Sequence, residues 1–429
     1  MKIIKNKNNK YFLAQYKLLA GFFRWSLIAI VVGIFAGSAS AIFLVSLDWV
    51  TVYRETNPQI IWGLPICGLI IGFIYYYLGS SIVRGNNLLI DEIHDSKKII
   101  PLRMAPLVFF GTIATHLFGG SAGREGTAVQ MGASLADQLT HIIRFKKTER
   151  SILIVMGIAA GFSSVFGTPL AGAVFGMEVF LLGRMRYDAI YPSFLVAIIA
   201  DWVTTSWGVG HRMYQVDSIP GISPEYLCYA IAAGIVFGFQ ARFFSVSSHW
   251  MSGQFSRFIK YPPFRPFIGG LAFAAFVWLT DSYQYMGLGI DVIADSFENI
   301  QPIYSFIIKS IYTSFTLGAG FKGGEVTPLF FIGSTLGNTM SNFMPLPMGL
   351  LACMGFVAVF AGAANTPLAC TLMAMEIFGT EIGIYAGIAC VVSYISSGHT
   401  GIYSSQIIYY PKHGKSLRSI GKRISELKK

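Results

Sequence analysis

Hydrophobic positions along this chain come in long runs, interrupted by single glycines, prolines or short charged clusters. Trp25 to Leu47 is 23 residues without a charge, Thr56 to Val83 is 28, and the 50 residues between Glu325 and Glu376 carry none. A membrane-crossing helix needs about 20 apolar residues, so the last tract has room for two. Apolar segments fall near 22–47, 58–80, 102–118, 127–143, 151–166, 169–183, 187–209, 225–246, 265–281, 302–318, 328–341, 346–362, 367–379 and 382–396. Several are shorter than a full span and are broken by Gly or Pro, as expected of discontinuous helices that meet inside a membrane. The first run is too long for a signal-peptide core and no convincing cleavage site follows it, so it reads as a retained helix. Uncharged runs that recur along the whole chain disfavour a large soluble protein with buried helices.

The runs repeat. Thr168-Pro169-Leu170-Ala171 is followed by Met177-Glu178-Val179-Phe180, and Thr366-Pro367-Leu368-Ala369 by Met375-Glu376-Ile377-Phe378, at a constant offset of 198. Upstream, Gly132-Ala133-Ser134-Leu135 matches Gly333-Ser334-Thr335-Leu336 at an offset of 201. Two matched pairs at nearly one offset divide the chain into related halves, 1–215 and 216–410, followed by a short polar tail, 411–429. Identity alone does not give the orientation of the halves; paired, interrupted helices favour inverted repeats with a site at the membrane midplane. No large hydrophilic regulatory domain is expected.

Composition agrees with the pattern. Charged residues are 12% of the chain, against about 25% in an average soluble protein. The net charge is +11, with Lys2, Lys5, Lys7, Lys10 and Lys17 near the start and Lys412, Lys415, Arg418, Lys422, Arg423, Lys428 and Lys429 near the end. The positive-inside rule accounts for this better than nucleic-acid binding, and places both termini in the cytoplasm, with Arg144–Arg150 and Arg184–Arg186 on the same side. The five cysteines all sit in apolar stretches without metal or redox spacing, and read as packing residues. No cofactor is implied.

Two glycine-rich loops carry the candidate chemistry. In Gly119-Gly120-Ser121-Ala122-Gly123-Arg124-Glu125-Gly126-Thr127, glycines allow close backbone approach. A helix starting there would aim free amides and a positive dipole end at an anion. Glu125 then stands where the anion would bind, and an ionisable residue at membrane depth is a functional candidate. A solvated Arg–Glu pair in a surface loop fits the same residues equally well. The second loop, Gly318 to Pro328, contains Lys322, Gly323, Gly324, Glu325, Val326 and Thr327; subtracting 201 from Pro328 gives Thr127, so the loops are equivalent. Thr327-Pro328, like Thr168-Pro169 and Thr366-Pro367, has the form of a helix start with Thr as N-cap. Glu178 and Glu376 are repeat-related and read as structural partners within the bundle. Arg84-Gly85-Asn86-Asn87-Leu88 offers amide donors but reads as an ordinary turn. Near the end, Tyr403 is either a neutral donor to an anion or an interfacial anchor.

Taken together these residues resemble the CLC superfamily. Gly123-Arg124-Glu125-Gly126 is similar to the family's sequence around its gating glutamate, with Thr127 in place of the usual Pro. Gly324-Glu325-Val326-Thr327-Pro328 resembles the family's Gly-x-Phe-x-Pro, with Val326 in place of Phe. Pro169-Leu170-Ala171-Gly172 looks like the segment downstream of the gate. The departures resemble the fluoride-exporting branch: Asn86 replaces the anion-binding serine of chloride-type members, and the position of their internal proton-transfer glutamate becomes Val179.

The resemblance implies an all-α, polytopic membrane protein with the CLC-type fold, two inverted-topology repeats and discontinuous helices. It implies a fluoride/proton antiporter that exports fluoride across the cell membrane, acting as a homodimer with one pore per subunit. Glu125 becomes the gate and proton carrier. Asn86, Gly123, Arg124, Gly126, Gly324, Val326, Thr327 and Tyr403 become the anion-binding set. A chloride channel or chloride/proton exchanger of the same fold is the nearest alternative. An intramembrane enzyme is disfavoured because the chain lacks HExxH and any evident GxSxG, and primary pumping because it lacks GxxxxGK[ST].

Overall fold

The computed structural model describes residues 2–216, 218–412 and 419–428. Among these are sixteen α-helices: α1 (Lys2–Thr56), α2 (Leu64–Tyr77), α3 (Asn86–His94), α4 (Met104–Leu117), α5 (Glu125–Asp137), α6 (Lys147–Phe166), α7 (Pro169–Glu178), α8 (Ile190–Ser206), α9 (Pro224–Phe258), α10 (Phe264–Thr280), α11 (Ile290–Asp295), α12 (Ser305–Gly318), α13 (Val326–Met340), α14 (Met348–Ala364), α15 (Pro367–Phe378) and α16 (Gly383–Ser396). Fourteen coincide with the apolar segments of the sequence. The other two, α3 and α11, are short. The reading of Arg84–Leu88 as an ordinary turn is therefore corrected: Gly85, at φ 53, is the N-cap of α3, and Asn86 is its first residue.

The repeat extends beyond the identical residues. The starts of α4 and α12 (Met104, Ser305), of α5 and α13 (Glu125, Val326) and of α6 and α14 (Lys147, Met348) each differ by 201. Gly119 and Gly320, also 201 apart, both take positive φ, 86 and 106, just beyond α4 and α12, where a side chain would be strained. Within the halves α1 packs on α8 as α9 packs on α16, and α5 on α6 as α13 on α14. Small residues let these helices approach closely, as is common in membranes. A Cβ on Gly333 would lie 2.0 Å from Gly355 O, and one on Gly132 would lie 2.3 Å from Gly157 O.

The halves meet in an inverted arrangement. Glu178, the last residue of α7, accepts hydrogen bonds from the amides of Leu368 (3.2 Å) and Ala369 (2.9 Å) at the start of α15. Glu376 near the end of α15 accepts from Leu170 (2.9 Å) and Ala171 (2.8 Å) at the start of α7. Each carboxylate satisfies amides that a helix leaves unpaired at its N-terminus. The carboxyl end of each helix thus lies at the amino end of the other, which requires them to run in opposite directions. Gly123 and Gly324 make the second such contact, each donating its amide to the other's carbonyl at 2.7 Å.

Among the described residues, five helical segments are long and apolar enough to cross a membrane, 15–56, 58–77, 147–166, 187–206 and 224–258. Shorter apolar helices complete the bundle, among them α4, α10, α14 and α15. Exposed large apolar side chains such as Phe23, Trp49, Ile66, Phe110, Trp202 and Phe239 cover its surface, which suits a lipid solvent.

Candidate functional site

Three helix starts converge between the halves: Asn86 of α3, Glu125 of α5 and Val326 of α13. The helix begins at Val326, two residues earlier than the Thr-Pro pattern suggests, so the reading of Thr327 as N-cap is corrected; Glu325 takes that place. At Thr168 and Thr366 the pattern does mark the N-cap.

The Glu125 side chain is 0% exposed and turns toward the start of α13. Its Oε2 accepts hydrogen bonds from the amides of Thr327 (3.0 Å) and Arg124 (3.1 Å). Its Oε1 accepts from the Thr327 hydroxyl, with Arg124 Nε at 3.6 Å. A carboxylate therefore fills a cradle of amide and hydroxyl donors at a helix N-terminus, the environment a small anion would need. Gly123 leaves the room for it, since a Cβ there would lie 3.0 Å from Glu125 Oε2 and 2.8 Å from Pro328 Cδ. Val326 beside it is buried.

Asn86 borders the same place. A Cβ on Gly126 would lie 3.2 Å from Asn86 Nδ2 and 3.2 Å from Gly324 Cα, so these glycines bring α3, α5 and the second loop into contact. Asn86 Oδ1 is buried without a partner among the described residues. Gln130 donates to Gly126 O at 3.0 Å, and the hydroxyls of Thr112 and Thr127 lie 2.6 Å apart. The far end of α3 is held by Arg150 of α6, which donates to Asp137 of α5 (2.8 Å to each oxygen) and to Glu92 of α3 (3.2 Å). This two-pronged guanidinium–carboxylate contact is geometrically demanding and ties three helices together.

Tyr403 follows α16, in the segment that returns to α3. Ser405 N donates to Asn87 Oδ1 at 2.9 Å and Arg84 donates to Ser405 Oγ at 3.1 Å. Gln406 donates to Val179 O (2.6 Å) and Ala364 O (2.8 Å). A two-residue strand, β2 (Ile407–Ile408), then pairs in parallel with β1 (Leu181–Leu182).

Two cavities border these helix starts, and Glu125 lines the first. One, of about 370 Å3, is lined by Glu125, Arg124, Thr327, His211, Arg212 and Tyr214 among others. The other, of about 250 Å3, is lined by Asn86, Thr127, Gln130, Lys322, Glu325 and Tyr403 among others. Arg84, which lines the second cavity, shares Asp91 with Arg423, and Arg24 pairs with Glu149. Of the residues expected at the site, Glu125, Gly123, Gly126, Gly324, Val326 and Thr327 lie together at the helix starts. Asn86 and Tyr403 open on the second cavity and Arg124 on the first. Sequence reasoning did not select Gln130, Lys322 or Glu325 as site residues. Lys322 and Glu325 were visible as charges inside a glycine loop; Gln130 carried no signal.

A bundle of inverted halves, with helix starts meeting at a buried carboxylate and bordered by two cavities, defines a membrane transport protein of the CLC class. The chain belongs to the voltage gated chloride channel family, whose pattern matches residues 67–398. It is 51% identical over 409 residues to a chloride/fluoride channel protein of Pseudomonas syringae pv. tomato, covering 94% of this chain and 90% of that one. A solved CLC-type fluoride/proton antiporter superposes with a TM-score of 0.87 at 34% identity, covering 90% of this chain and 98% of that one. A slow cyanobacterial Cl-/H+ antiporter shares the fold, with a TM-score of 0.77 at 18% identity over 94% of this chain and 96% of that one.

Proposed function

We propose that this protein is a fluoride/proton antiporter that exports fluoride from the cytoplasm. The observation that carries the reading is the Glu125 carboxylate, buried in a cradle of donors at helix starts that two cavities border. While ionised it occupies the place of an anion. Protonation weakens its hold on the Thr327 donors and frees them for fluoride, so one side chain links the two ions. Fluoride holds its water tightly, and desolvating an unpaired ion is very costly. The Thr327 hydroxyl and amide, the Asn86 amide and the Tyr403 hydroxyl replace part of that hydration.

The resemblance to the fluoride-exporting branch, together with Asn86 and Val326, favours fluoride over chloride as the cargo. We place the second cavity on the cytoplasmic side, since Arg84 in its lining and Arg423 of the basic tail share Asp91. Both termini lie there, and the protein works as a homodimer with one pathway in each subunit. The halves divide in the connection between α8 and α9, and residues 411–429 form a basic tail. Exchange of one fluoride outward for one proton inward moves two charges, which at about 2.3 kcal/mol per charge per 100 mV supplies about 4.6 kcal/mol. That sustains a fluoride gradient on the order of a thousandfold.

The test is fluoride and chloride efflux from proteoliposomes with vesicle pH recorded at the same time. Fluoride efflux coupled to proton uptake, much faster than chloride efflux, is expected. Equal movement of both halides would sink the fluoride assignment; fluoride flux without proton movement would sink antiport.

A further inference from the structure

Among the described residues, three lysines place their ammonium over an aromatic ring inside the protein, and they differ in what else they touch. Lys309 lies over Phe331, 5.1 Å from its centroid, and donates to the carbonyls of Tyr285 (3.0 Å) and Gly287 (2.7 Å). Lys412 lies over Tyr394 at 4.1 Å and donates to Ser397 Oγ at 2.9 Å. Lys322 lies over Tyr75 at 4.0 Å, and no oxygen acceptor or carboxylate partner is bonded to it among the described residues. An ammonium has three donors, and withdrawing it from water without acceptors is costly. Lys322 instead borders the cytoplasmic cavity, alongside Asn86 and Tyr403.

The position is built. Gly111 of α4 makes room for the lysine stem, since a Cβ there would meet Lys322 Cγ at 3.0 Å and Cβ at 3.1 Å. The Tyr75 ring fixes the head by its negative face, while the Tyr75 hydroxyl is buried without a partner. Of the other charges lining the cavity, Arg84 pairs with Asp91 at 2.5 Å and Glu325 shares a hydrogen bond with Ser248, which lines the cavity too. Among the described residues neither bonds the Lys322 ammonium, which is left with free donors facing the cavity.

We propose that Lys322 is an anion-binding residue of the cytoplasmic cavity: its ammonium takes an arriving fluoride as counter-ion and passes it on to Asn86 and Tyr403. The inference rests on the reading of the protein as a fluoride/proton antiporter. It adds a cytoplasmic binding position set apart from the Glu125 cradle.

The experiment compares initial rates of fluoride efflux against luminal fluoride for the wild type, Lys322→Met and Lys322→Arg in proteoliposomes, with proton uptake recorded. Met keeps the stem that packs on Gly111 and loses the charge. Half-saturating fluoride should rise about tenfold in Lys322→Met, with maximal rate and proton-to-fluoride ratio little changed, and Lys322→Arg should restore most of the loss. An unchanged half-saturation in Lys322→Met overturns the proposal. So does an equal loss in both variants, which marks a packing role. If Lys322→Met does not assemble, Lys322→Gln is read the same way, and Lys322→Arg with impaired half-saturation would overturn the proposal by itself. A wild type that moves chloride instead of fluoride ends the fluoride reading alone; the same comparison in chloride then decides Lys322.

Discussion

At the contact of α7 with α15, each helix start is held by a carboxylate from the opposite half, Glu376 on one side and Glu178 on the other. At the contact of α5 with α13 there is one carboxylate for two starts. Glu125 binds the start of α13, while the residue 201 positions along, Val326, has nothing to offer the start of α5. The first contact is symmetric and each cap is matched. The second is asymmetric and is bordered by two cavities. The same interaction, a carboxylate on helix amides, is a joint where the repeat is kept and, on the function proposed above, an exchangeable ligand where the repeat is broken. Loss of symmetry at one residue pair separates a structural contact from a site.

That contrast can be broken experimentally. The largest effect is expected from Glu125→Gln, which keeps the shape and removes the charge and the titratable proton. Fluoride-driven proton uptake should fall about a hundredfold, since bonds to a buried charged group are among the strongest the site makes. Uptake at the wild-type ratio, followed with a fluoride electrode and vesicle pH, would end the role given to Glu125. Next comes Thr327→Val, which removes the hydroxyl and keeps the amide. An unmet buried group costs about 1–3 kcal/mol, so fluoride flux should drop about tenfold. Tyr403→Phe removes a donor at the edge of the second cavity, and a loss of about fivefold is expected from about 1 kcal/mol. Wild-type flux in both variants would mean that neither hydroxyl meets the ion.

The smallest effect on transport sharpens the other side of the comparison. Glu178→Gln should lower stability by about 1–3 kcal/mol, because two amides at the start of α15 lose a charged acceptor. The ratio of protons to fluoride should stay at the wild-type value. Thermal unfolding of the purified protein and the flux assay check the two halves of this expectation. A changed ratio would make Glu178 part of the proton route and erase the distinction drawn here.

Much of the fold was legible because membrane helices declare themselves by composition alone, and fourteen segments were found that way. The two helices overlooked are the ones that composition cannot reveal. Asn86–His94 carries Asp91, Glu92 and His94 in nine residues, and Ile290–Asp295 is only six residues long. The glycine loops and Glu125 could be picked out because a charge among glycines is conspicuous in an apolar chain. Thr327 was assigned to the same site through the resemblance alone; its bond to Glu125 could not be read, since it is 202 residues away and only the packing of the halves brings it within reach. The reciprocal capping by Glu178 and Glu376 was hidden for the same reason: the repeat shows that the two residues are related, not that each lies against the other's helix.

The exchange of amide and carbonyl between Gly123 and Gly324 has a mechanical consequence. Neither loop can withdraw from the other without leaving an amide and a carbonyl unpaired in a region with little water to receive them. The backbone at the centre is riveted, so switching access from one side to the other falls to side chains. On the function proposed above, the moving part is then one carboxylate inside a stationary frame.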